Sequence, residues 1–106
     1  MGEKGLNEFW VELSEWSQAT FGADGERGPI GPLKHLAKEV QEALADPGDL
    51  IEYADLLFLV FDATRRAGFS FEDLLAACWR KLAINRARTW PKPSSDEPVE
   101  HVRGAD

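Results

Sequence analysis

Apolar residues recur at helical spacing along most of the chain. Leu6, Phe9, Trp10, Leu13 and Trp16 follow one another at short helical intervals, the signature of an amphipathic helix. This predicts a first helix over residues 6–21, with Asn7 as an early cap. Leu33, Leu36, Ala37, Val40 and Leu44 repeat the pattern and predict a second helix over about 33–45. Residues 22–32 between them hold four glycines and two prolines, a composition that predicts a loop. Asp46-Pro47-Gly48-Asp49 reads as a tight turn, with Asp49 the N-cap of a third helix over about 50–67 that stops at Gly68. Ser70, with Asp73 three residues on, reads as the N-cap of a fourth helix. That helix reaches about residue 89, where Trp90-Pro91-Lys92-Pro93 ends it. No stretch alternates with period two. Short turns make consecutive helices antiparallel neighbours, so the expected fold is all-α, an antiparallel four-helix bundle-like domain over residues 1–90. A polar, irregular tail follows over 91–106.

The third helix breaks the amphipathic pattern. Leu56-Leu57-Phe58-Leu59-Val60-Phe61 is apolar on every side, as expected of a buried helix. Acidic residues stand at its mouth. Glu52 and Asp55 are three apart, and so are Glu39 and Glu42 before the turn. Residues at that spacing share a helix face. Carboxylates beside a buried helix need protons or cations, and oxygen ligands from two neighbouring helices suit hard divalent ions such as Mg2+ or Mn2+. On their own helix Glu39 and Glu42 fall away from the Leu33–Leu36–Val40–Leu44 stripe, as a solvated face would. Their claim to a site comes from standing at the height of Glu52 and Asp55. Asp62, one heptad beyond Asp55, holds a position behind the ligands, a place in an oligomer interface, or an exposed helix end.

Composition narrows the partners. The 106 residues carry 19 acidic and 12 basic side chains, a net charge of −7, against the basic surface that nucleic-acid binding needs. A small nucleotide remains compatible, since metal ions neutralise its charge. The longest apolar run is six residues, far short of a membrane span. One cysteine, Cys78, makes no internal disulfide and fits a reducing cytoplasm; its apolar surroundings predict a core position. Lys81, Asn85 and Arg88 form a donor-rich row on the fourth helix suited to phosphate oxygens. Trp10, Trp16 and Phe21 are candidates for the core or for stacking on a base. His35, one turn before Glu39, reads as a local hydrogen-bonding residue. A chain this short with an all-apolar helix also predicts a homo-oligomer, dimer or tetramer.

Glu39-x-x-Glu42 followed by Glu52-x-x-Asp55 on two antiparallel helices resembles the all-α nucleoside triphosphate pyrophosphohydrolases of the MazG-like superfamily. Trp16-Ser17-Gln18-Ala19-Thr20-Phe21-Gly22, His35-Leu36-Ala37-Lys38-Glu39, Tyr53-Ala54-Asp55-Leu56-Leu57, residues 81–90 and Pro98-Val99-Glu100-His101-Val102-Arg103 resemble its dATP/dGTP diphosphohydrolase branch, which occurs in phages. The resemblance covers nearly the whole chain. It implies hydrolysis of dGTP and dATP to the monophosphate and pyrophosphate, with two or more Mg2+ ions held by Glu39, Glu42, Glu52 and Asp55. It further implies phosphates gripped by Lys81, Asn85 and Arg88, and a base enclosed by the glycine loop with Trp16 and Phe21. Many superfamily members carry two consecutive glutamates where this chain has Lys38-Glu39, so only four ligands carry over. The competing expectations are a pyrimidine-preferring dUTP or dCTP pyrophosphatase and a non-catalytic helical interaction module with no metal affinity.

Overall fold

The computed structural model describes residues 4–103. It holds four α-helices, α1 (Leu6–Phe21), α2 (Ile30–Ala45), α3 (Leu50–Arg66) and α4 (Phe71–Ala87), and no strand among the described residues. They fall into two compact units, Met1–Phe71 and Glu72–Asp106.

In the first unit α3 packs on both α1 and α2. Aromatic rings seal the α1–α3 contact. Phe9 lies 5.3 Å from Phe58, and Trp10 lies 5.0 Å from Phe61 and 5.7 Å from Phe71 between ring centroids. Tilted pairs at such distances add about 0.5–1.5 kcal/mol each beyond burial. Trp10, Leu13, Ala43, Phe61 and Ala63 form the apolar core. The termini of these helices follow from single residues. Asp49 accepts the Ile51 amide at 3.1 Å and caps α3. Gly68, at φ 102°, supplies the positive dihedral beyond its end. Gly22 does the same for α1 at φ 111°, and an added Cβ there would also meet Glu26 Oε2 at 3.1 Å.

Several expectations are corrected. α1 begins at Leu6 with Gly5 in the cap position, so Asn7 lies inside the helix. α2 begins at Ile30, not near Leu33, and takes in Gly31 and Pro32. A proline in the first turn loses no bond, because those amides have no partner inside the helix. The loop therefore shrinks to residues 22–29. Leu33, Val40 and Leu44 remain exposed, while Pro32, Leu36, Glu39 and Ala43 take the half-buried or buried face of α2. The helix is turned so that Glu39 faces inward with Leu36, while the rest of the leucine stripe does not. α3 is not buried all round in the single chain, for Leu57 and Val60 within its apolar run are 40% and 37% exposed, and Leu50 and Ile51 at its start are 79% and 64% exposed.

In the second unit α4 has no buried residue, and Cys78 is exposed rather than packed in a core. The tail turns back on the end of α4. Val102 donates its amide to the Thr89 carbonyl at 2.6 Å, Trp90 Nε1 donates to the Asn85 carbonyl at 2.7 Å, and the Trp90 and His101 rings meet edge-on at 5.7 Å.

Candidate active site

The turn Asp46–Asp49 folds α3 back along α2, bringing the end of one helix beside the start of the other. Glu39 on α2 meets Glu52 and Asp55 on α3, with one carboxylate oxygen of each within 4.8 Å of the others. All three are half-buried. Glu39 Oε2 and Glu52 Oε2 are shut off from water and have no hydrogen-bond partner. Buried carboxylate oxygens without donors are costly, and a divalent cation is the partner that satisfies several at once. These residues fit a hard metal centre. Glu42 is exposed and stands at the edge of the cluster beside Glu39.

The electrostatics carry the same message. Glu42 is raised above the ordinary carboxyl range, first because a proton on it is shared with Glu39, then by the charge of Glu39 itself, with Glu52 and Asp55 adding to it. Glu52 is raised first by burial, then by the charges of Asp49, Asp55, Glu39 and Asp46. No cation of the chain is among these causes. His35 Nε2 lies 3.0 Å from Glu39 Oε1, one turn back along α2, the local bond expected of it.

Along α3 the spacing of this site continues. Glu52, Asp55, Leu59, Asp62 and Arg66 advance by three and four residues and so form one stripe. On α2, His35, Glu39 and Glu42 do likewise. At the far end of the two stripes lies a cavity of about 420 Å³, walled by Phe21, Arg27, Gly28, Ile30, Gly31, Pro32, His35, Leu59, Asp62 and Arg66. This is ample for a base and sugar. Phe21, 57% exposed, is part of its wall, whereas Trp16, 53% exposed, lines a separate hollow with Lys4, Phe9, Glu12, Leu13 and Phe58. The two rings touch edge-on at 5.5 Å. Trp10 belongs to the core.

Asp62 is not an exposed helix-end aspartate. It is buried and paired with Arg65 at 2.6 Å and Arg66 at 3.1 Å. Burial alone would raise its carboxyl, but hydrogen bonds from Ser17, Arg65 and Arg66 outweigh that and hold it below the usual range. The arginines were not singled out from sequence, because cations in a last helical turn ordinarily serve the helix dipole. The signal that marks them is their spacing of three and four residues from an aspartate already on the Glu52–Asp55 stripe.

In the second unit Lys81 is exposed on α4, and Asn85 is half-buried with Oδ1 unpartnered. Arg88 stands just beyond the helix end, donating its amide to the Asn85 carbonyl at 3.3 Å.

The dATP/dGTP pyrophosphohydrolase family pattern matches residues 10–106. The Eaa protein of Salmonella phage P22 is 51% identical over 92 residues, covering 87% of this chain but 28% of that protein, so the chain spans less than a third of this relative's length. The dATP/dGTP diphosphohydrolase of cyanophage S-2L is 31% identical over 101 residues, 93% of this chain and 90% of that enzyme. A solved structure of the cyanophage S-2L MazG-like pyrophosphohydrolase, bound to dGDP and three catalytic Mn2+ ions per active site, superposes with a TM-score of 0.78 at 31% identity and covers 98% of both chains. With its four helices, its carboxylate cluster and a match over nearly its whole length, the chain belongs to the dATP/dGTP pyrophosphohydrolase family of MazG-like nucleotide pyrophosphohydrolases.

Proposed function

We propose that this chain hydrolyses the purine deoxynucleoside triphosphates dGTP and dATP to the monophosphate and pyrophosphate, using Mg2+ or Mn2+. The observation that carries the reading is the shared pair of stripes. Carboxylates with unsatisfied oxygens occupy one end, and an aromatic-edged cavity of nucleoside size occupies the other. Glu39, Glu52 and Asp55 are assigned to the metal centre, with Glu42 completing it from its edge. Divalent ions held by these carboxylates would supply charge to neutralise the phosphates and to acidify the attacking water. One carboxylate of the cluster takes the proton of the attacking water, and the linkage between the α and β phosphates is broken. Lys81, Asn85 and Arg88 are assigned to the phosphate oxygens. Phe21, Ile30 and Leu59 offer the base apolar and aromatic surface, which favours a purine through its larger π-face. Trp16 acts through its contact with Phe21.

The test is a panel of all deoxy- and ribonucleoside triphosphates with Mg2+ and with Mn2+, assaying pyrophosphate and orthophosphate together. Pyrophosphate release with the highest kcat/KM on dGTP and dATP is expected. A highest value on dUTP or dCTP would reject the purine assignment alone. Orthophosphate as the sole inorganic product would reject pyrophosphohydrolysis, and no turnover of any nucleotide would favour a non-catalytic module.

A further inference from the structure

The charged cluster at the C-terminal end of α3 has no part in the chemistry above. The Arg66 side chain is 1% exposed. It donates from Nε to Asp62 Oδ2, from Nη2 to Ser17 Oγ and from Nη1 to the Gly22 carbonyl, each at 3.1 Å. Arg65 donates from Nη2 to Asp62 Oδ1 at 2.6 Å and from Nε to both oxygens of Asp24 at 3.1 Å. Burying such a group is expensive unless it is fully paired, so the arrangement has a purpose beyond filling space.

Two purposes compete, contact with a ligand and positioning of the chain. Contact requires polar capacity to spare. Arg66 has five N–H donors, and four of them go to Asp62, the Gly22 carbonyl and the hydroxyl and carbonyl of Ser17, while Nη1 also faces Asp24 Oδ1 at 3.7 Å. Both Asp62 oxygens accept from an arginine, and Ser17 adds a further bond. Nearly all of the polar capacity at the floor of the cavity is thus spent within the chain. What the bonds reach instead is the 22–29 segment, at the Gly22 carbonyl where it begins and at Asp24 in its turn. That segment, with the first turn of α2, provides Arg27, Gly28 and Ile30 to the cavity wall. The helix that anchors it also carries Glu52 and Asp55.

We propose that Arg65 and Arg66, joined through Asp62, are positioning residues for the nucleotide. They tie the 22–29 segment to α3 and so hold the cavity wall in register with the metal-binding carboxylates on the same helix. This rests on the preceding reading that the cavity takes the nucleoside.

Asp24→Ala tests it from the more exposed side of the pair: the Asp24 side chain is 35% exposed, and Arg65 loses the acceptor of its Nε but keeps Asp62. Calorimetry with Mn2+ alone, calorimetry with dGDP in the presence of Mn2+, and amide hydrogen exchange across 22–29 are measured on parent and variant. Loss of a charge-assisted bond should weaken dGDP about 10-fold or more. It should speed exchange in the segment and raise KM for dGTP with little change in kcat, while Mn2+ affinity stays at the parent value. Arg66→Lys, which keeps the charge but not the planar fork, should show the same split. Parent-like dGDP affinity in Asp24→Ala, or equal losses of Mn2+ and dGDP affinity in both variants, would overturn the proposal. A parent that bound Mn2+ but no dGDP would instead sink the purine reading. The tether would then be judged by exchange alone and be refuted by unchanged rates in the variant.

Discussion

Glu52 and Asp62 lie on one helical stripe and titrate in opposite senses. The raised Glu52 and Glu42 hold protons more tightly in the folded chain than in the unfolded one. Their contribution favours the metal-free fold below the ordinary glutamate value of about 4.3 and is lost as pH rises through the raised folded values. Asp62 is lowered. It contributes stability above the ordinary aspartate value of about 3.9 and loses it as pH falls through its depressed folded value. Differential scanning calorimetry of metal-free protein should therefore show these glutamates lowering Tm between weakly acid and neutral pH, with Mn2+ restoring it at neutral pH. Glu52→Gln should raise the metal-free Tm at pH ~7, abolish most of the Mn2+ response and cut turnover by more than ~100-fold, beyond the loss typical of residues behind the ligands. Phe21→Ala should raise KM for dGTP by about 5- to 100-fold, the range that ~1–3 kcal/mol of stacking allows. Trp16→Ala should do less, since only Phe21 lines the cavity. Glu52 and Asp55 were legible because few other polar residues interrupt their helix. Glu39 was harder to place, since the Leu33–Leu44 stripe points to the wrong inward face of α2. Only packing against α3 chooses between two faces that are both partly apolar.

The helices were legible as elements wherever local chemistry ends them. Asp49 and Gly68 bound α3 as their residue types require. The start of α2 was not legible, because Gly31 and Pro32 signal a loop unless the first turn, where amides need no partner, is considered separately. Asp49 also links element to site, for its charge helps raise Glu52. Asp49→Ala should cost about 1 kcal/mol of stability in denaturant unfolding through loss of the cap. Asp49→Asn keeps a capping oxygen and removes the charge. It should leave stability nearly unchanged while lowering the pH at which Mn2+ binding reaches half its maximum, because metal competes with protons for the same carboxylates.

At the scale of the whole molecule, the single chain leaves much of its large apolar surface uncovered. Leu44, Leu50 and Ile51 are 69%, 79% and 64% exposed around the α2–α3 turn, an apolar cluster of the kind that serves as a contact surface. We infer a homo-oligomer. Light scattering should return a dimer or tetramer mass, a multiple of 11.8 kDa, and Leu44→Glu combined with Ile51→Glu should shift it toward monomer. No helix among the described residues is long and apolar enough to cross a membrane. The stripe of α3 sets one further condition on such a protein. Each residue inserted into or deleted from an α-helix turns everything beyond it by about 100° and moves it by about 1.5 Å. The distance and direction from Glu52 and Asp55 to Asp62 and Arg66 are thus fixed by helical phase, not by loop length. A gain or loss of one residue within positions 56–61 would leave the carboxylate end and the cavity end of the stripe facing different ways. A gain of seven restores the facing to within about 20° and sets the two ends about 10 Å further apart, for a substrate of another length.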